Sequence, residues 1–385
     1  MYFLSATDPN YRIKGSRDPL GFQSLWAAAG HKAVKHLSTV SSNLKDFMIL
    51  CYGIYFHGNH DPKEFIRFFI LLEQMFAYAR MIGNHEISFN GVDYIHKRTA
   101  DDKFYISLKD TILNNQRAYG IYGKYIRPLR DIGITEDPEF SRIMEGVLSK
   151  TDKIPVLTWV KRFHEDAQKR YTVARSELKP FALLLNSLTN DERQLYRKYF
   201  LKVPGELHPQ NDLYEVIRNN HDIIYTTFQL HPIIQFILSN KEISDTLRDA
   251  LINIDNTDKV LHPLNKVFTH MLSKSYWITD EVIQEPVFTN LPGKVSYYFH
   301  DETLRSLNEL LELPVLELVK QIIKRNEEVS KIRGNKAWIE EDKKSFRILY
   351  GEKGQNITSL NNDTDYEFPY FLNNYINLFR QIEME

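Results

Sequence analysis

Between Ser41 and Met81 the chain carries two apolar-striped segments back to back, divided only by the polar stretch His57-Gly58-Asn59-His60-Asp61-Pro62. No other feature constrains the fold as much. From Ser41 to Phe56, Leu44, Phe47, Met48, Cys51, Ile54 and Tyr55 fall on one helical stripe, with Ser41 or Ser42 placed to cap it. From Asp61 to Met81 a second helix opens with Asp61 as N-cap and Pro62 at the first helical position, keeping Glu64, Arg67 and Glu73 on its wet side. Leu20 to Leu37 has looser helical spacing after Pro19. Apolar stripes this close in sequence are buried against one another, so the chain is expected to begin as a helical bundle.

The pattern then changes. Ile82 to Tyr125 contains HEISFNGVDYIH, KFYISL and AYGIYGKY, with short β-like alternation and many turn residues, so a small strand-bearing insertion is expected at about 83–130. Helical spacing resumes at Pro138 to Ser149 and Leu157 to Leu178, and Thr189 or Asn190 can cap a helix whose acidic start and basic end suit the helix dipole. The loop VPGELHPQND marks a unit boundary, giving an N-terminal unit of residues 1–203 and a C-terminal unit of residues 204–385. The last long helix is expected to begin at Asp301, kink near Pro314 and end about Lys331, and the aromatic segment FPYFLNNYINLFRQI is expected to dock on the body. The fold class is therefore mainly α: helical bundles with a small strand-bearing insertion. A winged-helix-like arrangement of its units is one expectation.

Composition excludes several functions. One cysteine, Cys51, allows no intrachain disulfide and, set in an apolar run, fits a buried thiol in a cytoplasmic protein. No signal-peptide pattern opens the chain, and its apolar runs are interrupted too early to span a membrane, so no membrane partner is expected. Forty-nine basic residues against 50 acidic ones leave no global field to attract a polyanion, so any nucleic-acid contact must be local.

Catalytic signatures are weak. Gly58-Asn59-His60-Asp61 and Gly83-Asn84-His85-Glu86 resemble a phosphoesterase metal motif, but the partner motifs of that chemistry are missing, and glycine, asparagine and Asp61 are equally residues that end and start helices. His221-Asp222 has no second histidine–aspartate pair to complete a phosphohydrolase centre, and His164-Glu165-Asp166 among lysines and arginines reads as a solvated face. Phosphate-loop, nucleophile-elbow, dinucleotide and Cys-x-x-Cys motifs do not occur. No catalytic residue, metal ligand or cofactor is assigned, and the enzyme question leans towards no.

Two basic segments remain. Tyr119 to Arg130 holds three tyrosines with Lys124, Arg127 and Arg130 among glycines, a composition suited to phosphate contact and base stacking but also to an amphipathic hairpin or loop packed by its tyrosines. Lys320, Lys324, Arg325, Lys331, Arg333 and Lys336 gather near the end of the long helix, where cations also suit the helix dipole. The expected nucleic-acid-binding residues are Lys124, Arg127, Arg130, Lys324, Arg325 and Lys331.

Several phrases, in order, resemble an uncharacterised bacterial family of helical proteins associated with anti-phage defence islands. They are Gly15-Ser16-Arg17-Asp18-Pro19-Leu20, Leu37 to Phe47 (LSTVSSNLKDF), Leu188-Thr189-Asn190-Asp191-Glu192, then Arg333, Asn335, Ala337 and Trp338, Tyr350-Gly351, and Asp365-Tyr366-Glu367-Phe368-Pro369. In that family an arginine stands where this chain has Lys45. The resemblance implies a non-enzymatic accessory or sensor protein of a prokaryotic anti-viral system, binding DNA or another protein of that system, with Arg17 and Asp18 as anchors or interface residues. The alternatives are a metal-dependent nuclease or phosphohydrolase using His57, His60 and Asp61 or His85 and Glu86, and a purely structural subunit.

Overall fold

The computed structural model describes residues 18–37, 43–58, 61–83, 91–98, 103–149, 153–186, 188–204, 207–227, 229–350 and 365–384. Over these residues the chain is mainly helical, with one two-stranded and one three-stranded antiparallel sheet. It forms two compact units: a middle unit, Val34–Tyr214 with Asn373–Glu385, and a flanking unit, Met1–Ala33 with Glu215–Leu372. Composition places one break after residue 203, whereas the chain passes between units at 33/34, 214/215 and 372/373. Proline and glycine mark loops; unit membership is set by contacts between segments remote in sequence.

In the middle unit Leu44–His57 and Pro62–Ile82 pack side by side. Asn43 starts the first of them, its side-chain oxygen accepting the N–H groups of Lys45 and Asp46 at 2.9 and 3.3 Å; Ser41 and Ser42 lie outside the described residues. Asp61 caps the second as expected, through the Lys63 N–H at 3.1 Å, with Pro62 following. At Gly53 a β-carbon would sit 2.4 Å from the Phe69 ring, so close approach and not a turn requires glycine there. Cys51 is fully buried in this core, and burial pushes its thiol pKa up, away from reactivity.

Two expectations need correction here. Glu73 is not on a wet side but 4% exposed, because Pro62–Ile82 is central and buried at every position from Leu71 to Arg80, with Arg175–Leu183 lying along it. The expected strand-bearing insertion is present, its short strand Lys103–Ile106 among the described residues pairing antiparallel with the remote Tyr171–Ala174. The glycine-tyrosine tract is helix Ile121–Ile132, neither hairpin nor loop, with Tyr125, Pro128 and Leu129 buried at helical spacing. Short alternation over glycine and tyrosine imitates a strand, but burial at positions three and four apart decides for the helix.

The flanking unit is built on the long helix Asp245–Met271, capped by the Ser244 hydroxyl, with Gln23–Ala33 lying along it. Trp26 stacks on Phe368 with ring centroids 5.7 Å apart and meets Tyr370 edge-on. The expected helix kinked at Pro314 is two helices, Glu302–Leu310, capped by Asp301, and Val315–Ile332, with Pro314 at its N-cap. Proline forfeits a hydrogen bond inside a helix but nothing at its start, so the chain breaks there instead of bending. Tyr276–Ile278, Ile339–Asp342 and Ser345–Ile348 form the three-stranded sheet, the last strand lying in the middle. The closing helix Leu372–Glu383 docks, as expected of its aromatic face: Tyr375 donates to the Leu201 carbonyl at 2.7 Å, and Arg197 grips Glu383 through two nitrogens at 2.6 and 2.7 Å. Among the described residues no helix is long and apolar enough to cross a membrane.

Candidate nucleic-acid interface

Helix Ile121–Ile132 follows the short turn Gln116–Tyr119 and ends at Gly133, whose φ of 73° is the left-handed conformation glycine adopts freely. With Tyr125, Pro128 and Leu129 turned inward, Gly123, Arg127 and Arg130 are exposed and Lys124 is half-exposed. The helix has a single acidic residue, Asp131, 3.6 Å from Arg127, and both are well exposed, so this pair neutralises the face only weakly. Arg117 adds an exposed cation beside Tyr119, which is 63% exposed. Arg117, a cation two residues ahead of the first tyrosine, extends the patch beyond the Tyr119 to Arg130 stretch expected from the sequence.

Beneath this helix lies buried polar structure. Glu73 Oε1 accepts the Ile121 N–H at 2.7 Å, at the helix N-terminus, and Oε2 accepts the Gln116 amide at 2.9 Å. Gln116 is itself fixed, its oxygen accepting the Ile112 N–H at 3.2 Å. Gly120 makes the approach possible: a β-carbon there would lie 2.6 Å from Glu73 Oε1 and 2.4 Å from the Gln116 carbonyl. Burial pushes the Glu73 carboxyl up to about 7, although the Ile121 N–H and Gln116 amide pull the other way. Alongside, buried Arg80 pairs with Asp46, which also accepts the Tyr125 hydroxyl, while the Tyr125 ring meets Phe47 edge-on at 4.6 Å. Asp46, Glu73, Arg80 and Lys124 line a partly open space of about 20 Å³, room for about one water molecule. The cations outside are thus carried on a helix that a buried acid holds at its first N–H.

The second basic patch is divided by its partners. Arg325 Nε donates to the Leu20 carbonyl at 2.7 Å and its guanidinium lies over the Phe22 ring, so this side chain is occupied in fastening the N-terminal stretch. Arg333 does the same, pairing with Asp18 at 2.9 Å; Asp18 is an anchor, and Arg17 lies outside the described residues. Lys320 pairs with Glu341 at 3.0 Å. Lys324 and Lys331 are exposed, in a groove of about 980 Å³ that four lysines and four glutamates line together. Its charges balance.

Of the metal-site alternative, His57 is 3% exposed and boxed by the rings of Phe65, Phe68 and His164 at 5.2 to 5.5 Å, while His60, His85 and Glu86 lie outside the described residues. Among the described residues no group of three or more histidine, cysteine, aspartate or glutamate side chains could hold a metal ion. His221 and Asp222 form an exposed pair at 3.2 Å. No known protein family, characterised protein or solved structure matches the chain.

Proposed function

We propose that the protein is a non-enzymatic binding protein whose helix Ile121–Ile132 engages the phosphate backbone of DNA. The observation that carries this reading is the outward face of that helix: Lys124, Arg127 and Arg130 around Gly123, against Asp131 alone. Arginines on a fixed helix meet phosphates without sequence preference, and the exposed ring of Tyr119 offers a stacking surface for an unpaired base. The setting we propose is a prokaryotic anti-viral system, on the resemblance of its sequence phrases.

The flanking unit offers a second surface. Val315–Ile332 follows Glu302–Leu310 across a short turn and precedes the hairpin of Ile339–Asp342 and Ser345–Ile348, in keeping with a winged-helix-like unit, with exposed Lys343 and Lys344 at the hairpin turn. The glutamates among its lysines make it secondary to the middle unit's helix.

Binding to labelled single- and double-stranded DNA across a salt series tests the reading. Affinity should fall with salt, and the triple variant Lys124→Ala, Arg127→Ala, Arg130→Ala should lower the log–log slope by about 3, since each phosphate contact contributes about 0.9. Lys324→Ala with Lys331→Ala should change it little. An unchanged slope in the triple variant, or no binding at low salt, would overturn the DNA reading; the latter would direct attention to an acidic protein partner.

A further inference from the structure

The long helix of the flanking unit carries, within two turns, Asp255, Asp258, Lys259 and His262. Asp255, Asp258 and His262 are 4 to 8% exposed, a degree of burial that ionisable groups tolerate only with partners. They line a cavity of about 570 Å³, the size of a small-molecule site. Opposite them stands the loop of Pro292, Gly293, Val295 and Ser296, and His231 and Tyr366 complete the wall with their rings 5.1 Å apart, edge to face.

The two aspartates are held in the same way. Asp258 Oδ1 accepts the hydroxyl of fully buried Tyr370 at 2.9 Å, and Asp255 Oδ1 accepts the Tyr366 hydroxyl at 2.8 Å and the Gln235 amide at 3.3 Å. These bonds fix the orientation of both carboxylates. Their second oxygens differ: Asp258 Oδ2 faces His262 Nδ1 at 3.2 Å, whereas Asp255 Oδ2 meets the Lys259 ammonium at 2.6 Å. Lys259 is 55% exposed on a flexible stem one turn further along the same helix, so its ammonium can withdraw into water while the aspartate stays behind. Asp365 takes no part in this; its Oδ1 accepts the N–H groups of Leu230, His231 and Tyr366 and fastens the wall.

We propose that this cavity binds a small organic amine, its ammonium taking the place Lys259 holds against Asp255 Oδ2 and its aliphatic body lying on Pro263, Pro292 and Val295. A fixed carboxylate gives a charge-assisted hydrogen bond to an ammonium. An anionic ligand would meet two oriented carboxylates with Glu367 close by, its Oε2 4.0 Å from His262 Nε2.

Calorimetric titration of the full chain with putrescine and with spermidine, at constant ionic strength, tests this, with glucose and adenosine monophosphate as amine-free and anionic comparisons. One saturable site per chain is expected for an amine, weakened at least about tenfold in Asp255→Asn. The deciding variant is Lys259→Ala. A lysine that only braces the helix predicts no gain on its removal, whereas an ammonium occupying the ligand's place predicts amine binding roughly tenfold tighter. Absence of binding at millimolar amine, binding no tighter in Lys259→Ala, or preference for glucose or the nucleotide would overturn the proposal. None of these outcomes bears on DNA binding by the middle unit.

Discussion

Replacing Glu192 with alanine is expected to destabilise the middle unit by about 3 to 5 kcal/mol, the usual consequence of leaving one member of a buried ion pair alone. Glu192 is 1% exposed and Lys45 9%, and their charged atoms lie 3.3 Å apart. Burial pulls the Lys45 ammonium below its ordinary pKa even with Glu192 beside it, so the lysine depends on that carboxylate. The same glutamate has a second task. Its Oε2 accepts the Thr189 N–H at 2.6 Å while the Thr189 hydroxyl accepts the Glu192 N–H at 3.2 Å, a reciprocal cap on helix Asn190–Tyr196. Lys45→Met combined with Glu192→Gln removes both charges and keeps a capping side chain, so it should recover most of the loss. Hydrogen exchange of the amides in Leu44–His57 reads the effect locally; a loss below about 1 kcal/mol in Glu192→Ala would place the pair among ordinary surface salt bridges.

Raising the pH from 5 to 8 should itself weaken the middle unit, through Glu73. Its folded pKa is about 7 against 4.5 for the free side chain, so between these values the folded chain holds a proton that the unfolded chain has released. Stability therefore falls as pH rises through this window and stops changing, as far as this group is concerned, above it; at about 1.4 kcal/mol per pKa unit, the total approaches roughly 3 kcal/mol. Glu73→Gln should flatten the profile. It should also carry a constant cost, because its amide nitrogen would meet Gln116 Nε2, and Gln116 cannot turn without releasing the Ile112 N–H. Denaturant midpoints at several pH values check this, and an unchanged slope in Glu73→Gln would assign the dependence to another group. Since Glu73 accepts the first N–H of the basic helix, the same variant reports whether that helix needs its buried acid to stay in place.

Several residues of the phrases that resemble the helical family meet in space, as ion pairs or as stacked rings. Lys45 and Glu192 come from two of them, Asp18 and Arg333 from two others, and Trp338 stacks on Tyr350 at 3.9 Å. Such pairings are invisible along the chain, since sequence order says which residues are charged but not which charge lies opposite. The same limit applied to the binding surfaces. Lys324 and Arg325 are neighbours of like charge, yet one is exposed and the other lies against Leu20 and Phe22, a difference made by a segment some three hundred residues away.

Local chemistry was legible in the sequence wherever it acts over a few residues. The Asp61 cap, the helix starts at Thr189 or Asn190 and at Asp301, the two apolar helices around Gly58, the buried thiol of Cys51 and the docking of the aromatic C-terminal segment all follow from spacing and side-chain type. Tertiary structure alone decided which faces are buried twice over. Glu73 looked solvated because its own helix has an apolar stripe elsewhere, and it became buried because other elements cover the remaining side. Asp255 and Asp258 are covered by Tyr366 and Tyr370, more than a hundred residues later in the chain, whose hydroxyls they accept. A helix's own periodicity reports one buried face; a second is created by packing partners whose identity depends on the path of the whole chain.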